Sequence, residues 1–339
     1  MTSQIKAIFA GTGGRRRDAR RAECGLFIAA FAALFFTPFV AIAQDEGALR
    51  RKPAVEDAAS LGIGRIVPDL GIGPLSGKKT SLSALLKGRR GLVICMTSTE
   101  CPLAVRYASR LAGIEDAYAK RGVVFVYVNC VDAESAKGMQ DAIREQGFDG
   151  PYVADRRHEI QHGLASRTTT EVFVLDASRK LIYRGAIDDQ FGVGRALDAA
   201  RHTYLRDALE ALLRGAQPPV PATWPPGCVL DPKPSATMPA SDVTYYGRVA
   251  DVLAKNCVAC HRRGGVAPFS LETLPSVKGR FAMIEAVVRD RLMPPGHVLS
   301  REGDGESPWV DDYMLDDADR EALLSWLGSD RAVGNRADG

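Results

Sequence analysis

The stretch QPPVPATWPPGCVLDPKPSATMPA, residues 217–240, holds eight prolines in twenty-four positions. Proline fixes φ, removes the backbone donor and clashes with the preceding helical turn, so the stretch is excluded from helix interiors and central strands. It predicts a semi-rigid spacer dividing the chain into two folded parts. A length of 339 residues is compatible with two domains, and no internal repeat is visible.

Upstream of the spacer, over 61–216, apolar β-branched runs occur at GLVICM (91–96), GVVFVYV (122–128), EVFVLD (171–176) and KLIYRGAI (180–187). Amphipathic helical patterns lie near 102–120, 133–147 and 200–214. This alternation predicts an α/β layer fold with a largely parallel central sheet. Downstream, helical patterns at 242–256, 274–292 and 316–328 are joined by Gly/Pro-rich loops. They predict a small, mostly α domain over 242–330 and a tail at 331–339.

At the front, the basic RRRDARR precedes the apolar GLFIAAFAALFF, and Ala41-Ile42-Ala43 places small residues at −3 and −1. Residues 1–43 are therefore expected to be a cleaved export signal, followed by a loose segment at 44–60. The alternative is an uncleaved anchor, since 25–43 nearly suffices to span a bilayer. Residues 1–43 carry six basic side chains against two acidic ones, so the formal charge of +3 resides in the leader and the remainder is close to neutral. That balance points away from a nucleic-acid partner. Export implies a periplasmic location and places six of the seven cysteines, all but Cys24, in an oxidising compartment.

Cys257-Val258-Ala259-Cys260-His261 is a C-x-x-C-H signature. It predicts covalent attachment of one haem c, with thioethers from Cys257 and Cys260 and His261 as an axial iron ligand. Zinc held by Cys257, Cys260, His261 and His297 is the competing reading. With VTYYGRVADVLAKN before the motif and DDADREALLSWLGS after it, residues 242–330 resemble a class I cytochrome c domain. The resemblance implies a methionine as second axial ligand. Met293 in RLMPPGH fits that role, Met314 is the reserve, and His297 could instead fill the position. Met283 and the tryptophans Trp309 and Trp326 read as packing residues. A Met/His pair raises the reduction potential.

Cys101 stands where the run GLVICM gives way to a helical pattern, in MTSTECPLAVRY. A thiol at a helix N-terminus meets the positive end of the dipole and unpaired N–H groups, which stabilise the thiolate. The segments IGRIVPDLGIGPLSGKKTSLSAL, GLVICMTSTECPLAVRYASRL, GVVFVYVN and TTTEVFVLDASRKLIYRGAIDD resemble the redoxin branch of the thioredoxin-like superfamily (alkyl hydroperoxide reductase and thiol-specific antioxidant type). The resemblance implies a mixed central sheet flanked by helices, and thiol or peroxide chemistry at Cys101. Ala104 replaces the second cysteine of a C-x-x-C pair, and Thr170 stands where the family carries a cis-proline, so a trans peptide is expected there. Ser98 matches the family's hydroxyl residue in type, and Arg106 and Arg167 are candidates for its arginine. Cys95 reads as structural. Cys130 or Cys228 could resolve an oxidised Cys101, or the two could pair with each other.

Together these features predict an exported haem protein coupling one-electron transfer to thiol or peroxide redox chemistry, served by a redox partner protein. The alternative is a plain electron carrier whose redoxin-like domain is a non-catalytic docking or metal-binding module, with Cys101 and Cys130 as the candidate metal ligands.

Overall fold

The strand at GLVICM is buried at every position, and its alternation builds two layers. Val93 and Cys95 face one cluster, Leu92, Ile94 and Met96 the other. In this computed structural model residues 53–232, 237–295 and 314–338 are described. The proposed leader 1–43, most of the loose segment 44–60, His297 and Trp309 lie outside them.

Five strands form the sheet: β1 (Gly91–Met96), β2 (Val123–Asn129), β3 (Tyr152–Ala154), β4 (Val172–Asp176) and β5 (Leu181–Gly185), in the order β3-β2-β1-β4-β5. The β1–β2 and β2–β3 pairs are parallel; β1–β4 and β4–β5 are antiparallel. The sheet is thus mixed rather than largely parallel. The turn between β4 and β5, with Arg179 at φ 63, is too short for the crossover a parallel pair needs.

Helix α1 (Pro102–Ala119) covers one face. Its buried Tyr107, Leu111, Ile114 and Tyr118 recur at helical spacing and meet Leu205 and Leu209 of α4 (Tyr204–Arg214). Helix α2 (Ala136–Gln146) adds Met139 to this layer. The opposite layer takes Leu82 and Leu86 of a short helix capped by Ser81, and Ile160 and Leu164 of α3 (Glu159–Leu164). This is a thioredoxin-like α/β arrangement.

The proline-rich stretch does not act as a free spacer. Residues 221–230 lie along the domain: Thr223 donates its N–H to Arg184, Leu230 to Arg167, and Thr169 to Cys228. Pro225 and Pro226 fall between these donating positions, which is how a proline-rich strand can pair at an edge. Gly227 makes this fit possible, because a Cβ there would lie 2.9 Å from Thr170 Oγ1 and 3.0 Å from Thr168 Cβ.

Beyond it, α5 (Ala250–Asn256), α6 (Phe281–Arg289) and α7 (Asp317–Leu327) pack around Trp326, which is fully buried against Tyr245 and Phe281. The helix expected over 274–292 is broken. Leu274–Val277 forms one short turn, Lys278 is extended, and Gly279 takes φ 78. A Cβ on Gly279 would come within 3.2 Å of the Asp132 N–H nitrogen, so the glycine lets this break press on the loop after β2. Both parts belong to one compact unit, and no helix among the described residues is long and apolar enough to cross a membrane.

Candidate functional site

The turn between β1 and α1 is held by Glu134, a buried carboxylate from the loop after β2. It accepts from the Ser98 hydroxyl, from Thr99 N–H at 2.7 Å and Thr99 Oγ1 at 2.6 Å, and from Asn129 Nδ2 at 2.6 Å. Ser98 Oγ in turn accepts the Cys101 N–H at 2.9 Å. These charge-assisted bonds fix Cys101 as the N-cap residue of α1, with Pro102 at the first helical position, where its missing donor costs nothing. Ser98 therefore positions the turn. Glu134 gave no sequence signal, since its role depends on a loop folding back.

Cys101 is 2 % exposed, and its Sγ lies 2.7 Å from Sγ of Cys228, on the proline-rich strand. The Cys228 thiol donates to Cys101. Burial pushes the Cys101 thiol up, but the Cys228 thiol, the Thr169 hydroxyl and the N–H groups of Ala104 and Cys228 outweigh it, bringing the thiol down to about 6. The position where a second motif cysteine would sit thus contributes its backbone donor instead. Cys228, which supplies the proton, is pushed well up, first by that hydrogen bond and then by burial. The charge belongs to the pair, with one proton between two sulfurs.

Cys130 sits in the opposite layer, clustered with Val128 and Leu230, and burial pushes its thiol up. Cys228, rather than Cys130, is set against Cys101, and the Cys130–Cys228 pairing is not formed. Cys95 is fully buried beneath α1, its thiol raised by burial. The peptide before Thr170 is trans, as only Met293-Pro294 is cis among the described residues. Thr170 Oγ1 donates to the Pro226 carbonyl, tying the cysteine-bearing strand down. Arg106 stacks on Phe191 at 4.9 Å. Arg167 pairs with Glu56 and Glu171 and stacks on Trp224.

A cavity of about 20 Å³, room for a water-sized molecule, opens on the thiol pair. Ser98, Glu134 and Cys228 line it from the α/β side; Phe269, Arg280 and Met283 line it from the C-terminal part. Met283 therefore faces the thiol site.

Cys257, Cys260 and His261 share one turn after α5, where the N–H groups of Cys260 and His261 both reach the Cys257 carbonyl. Cys257 and Cys260 are unbonded to each other and half-buried. Burial, then the neighbouring Cys260, raises the Cys257 thiol to about 11. His261 is held against the Phe269 carbonyl through Nδ1 at 3.0 Å, which fixes the tautomer that presents Nε2 to a metal. Burial lowers its pKa and favours the neutral, ligating form. This donor set suits a covalently attached haem. Met293 is exposed on the loop after α6, and Met314 lies just before α7. Among the described residues no three His, Cys, Asp or Glu side chains converge as metal ligands, at Cys101 and Cys130 or at Cys257.

The sheet order and the helices packed on its two faces define the class, a thioredoxin-like α/β domain. Residues 64–196 match the Redoxin family model. An uncharacterized conserved protein from Geobacillus kaustophilus is similar at 25 % identity, covering 55 % of this chain and 97 % of that one, with a TM-score of 0.47. A hypothetical protein from Sinorhizobium meliloti is 22 % identical over 55 % of this chain and 100 % of its own, also at 0.47. A peroxidoxin from Mycobacterium tuberculosis is 17 % identical over 46 % and 97 %, at 0.36. No curated protein matches the chain.

Proposed function

We propose that the chain is an exported thiol oxidoreductase carrying one covalent haem c, in which Cys101 and Cys228 cycle between dithiol and disulfide. The observation that carries this reading is the 2.7 Å contact between the two sulfurs. With a hydroperoxide, the Cys101 thiolate attacks the O–O bond, becomes a sulfenic acid and releases alcohol or water. Cys228 then attacks that sulfur and expels water, leaving a disulfide. With a substrate disulfide, exchange passes through a mixed disulfide, and two substrate thiols leave. Either way two electrons leave the pair, and an external dithiol or a redox partner protein restores them. When bound through Cys257, Cys260, His261 and Met293, a haem supplies one-electron transfer with a partner. Coupling of the two sites is supported by Phe269, whose carbonyl holds His261 and which also lines the thiol cavity.

The second reading, an electron carrier with a docking module, is favoured by the burial of Cys101 under the C-terminal part, which bars a protein substrate from the closed site. One sample separates them. The exported protein is expected to show c-type absorption bands when reduced, and to lose two thiols per chain on treatment with a hydroperoxide or a small disulfide. Absent bands would remove the haem; unchanged thiols would leave the docking reading.

A further inference from the structure

Arg280 enters the redoxin site from the C-terminal part. It is the residue after the Gly279 break, 6 % exposed, and its Nη2 donates to Glu100, the neighbour of Cys101. Its guanidinium lies over the Phe269 ring at 4.6 Å. Its Nη1 is buried with no hydrogen-bond partner, and Arg280 lines the same cavity as Cys101 and Cys228. Burying a charged guanidinium N–H without an acceptor forfeits its hydration with nothing in exchange, so a partner at that site is favoured strongly. The side-chain acceptors lining the cavity are Ser98, Glu100, Glu134, Thr169 and the two sulfurs. Glu134 already accepts four donors, Ser98 is engaged with it, and the Thr169 hydroxyl is engaged with Cys228 N–H and Cys101. The thiol pair is the remaining anion.

We propose that Arg280 is a positioning residue of the thiol site, the counter-ion that the C-terminal part contributes to the charge shared by Cys101 and Cys228. The redoxin domain alone then lacks part of its own site. This rests on reading the two cysteines as a dithiol pair. The Arg280 charge also favours the ionised form of Cys228. The ionisable groups facing the pair are Glu100, Glu134 and Arg280, with Asp132 behind Gly279. Burial raises the Glu100 carboxyl while Arg280 opposes it.

Because Arg280 and Glu100 are ion-paired, replacing either breaks the same contact, yet a counter-ion role demands opposite outcomes. Ultraviolet thiolate absorbance is followed against pH in the full-length protein, with Cys101→Ser subtracted and folding checked by circular dichroism. Unaltered protein is expected to titrate near pH 6. In Arg280→Met the midpoint rises by about one unit, a several-fold loss of thiolate at pH 6 that disappears at high pH. Arg280→Lys recovers much of the loss. In Glu100→Gln, which removes a like charge, the midpoint falls. Equal midpoints, or shifts in the same direction for Arg280→Met and Glu100→Gln, would overturn the assignment and leave Arg280 a structural latch. Should Arg280→Met not fold, the Arg280→Lys and Glu100→Gln curves still decide by the sign of Glu100→Gln. No Cys101-dependent titration in the unaltered protein would instead overturn the dithiol reading, and the Arg280 role with it.

Discussion

Cys101→Ser is expected to reduce thiol-dependent turnover of peroxide or disulfide by about a thousandfold or more, since a serine hydroxyl is not ionised near neutrality and the nucleophile is lost. Cys228→Ser is predicted to behave differently. The serine hydroxyl still offers a donor where the Cys228 thiol stood, but no second sulfur remains to attack the oxidised Cys101. Oxidation then stops at a sulfenic acid, which a dimedone-type reagent would trap. Turnover and trapping measured side by side check both. Unchanged turnover in Cys101→Ser would remove the redoxin half of the account, and equal sulfenic acid in unaltered protein and Cys228→Ser would remove the resolving role. The direction with pH follows from the lowered thiol: the reactive form is present above pH about 6 and is lost as the pH falls through it.

The largest stability effect is expected at Glu171. Its carboxylate is fully buried and accepts from Arg167 Nη2 at 3.0 Å, Arg167 N–H at 2.7 Å and Arg184 Nε at 2.9 Å. Arg184 is 4 % exposed. Glu171→Gln leaves the buried Arg184 guanidinium with no carboxylate partner and Arg167 with Glu56 alone, and should cost about 3–5 kcal/mol, lowering Tm by roughly 10 °C. Denaturant unfolding of both proteins measures it, and a loss below about 1 kcal/mol would contradict the buried-network account. The consequence reaches the site, because Arg167 also donates to the Thr223 carbonyl at 3.2 Å and stacks on Trp224. Both belong to the strand that carries Cys228.

Much of the α/β layer was legible because burial writes itself locally: GLVICM, VVFVYV and VFVLD are β-branched runs, and Cys101-Pro102 reads as a helix start. What stayed open were pairings across long stretches of chain, where Cys130 and Cys228 stood as alternatives. Cys228 meets Cys101 across 127 positions, and eight prolines argue for a spacer unless the strand they interrupt lies at an edge with its few donors well placed. Cys130 looked equally eligible because strand order brings β2 beside β1, but its side chain falls in the opposite layer. Arg106 and Arg167 were candidates for the arginine that the resemblance implies, and neither lines the thiol cavity. Arg280 arrives by way of Gly279, whose φ of 78 breaks a helix that periodicity alone runs straight through 274–292.

The central claim, that Cys101 and Cys228 are one redox pair, is tested most directly by disulfide mapping. Purified protein is oxidised mildly, its free thiols are alkylated, and the digest is analysed by mass spectrometry. The account predicts a single Cys101–Cys228 linkage, removed by a dithiol reductant, with Cys95 and Cys130 recovered as alkylated thiols. A Cys101–Cys130 or Cys130–Cys228 linkage, or Cys228 alkylated in full after oxidation, would contradict it.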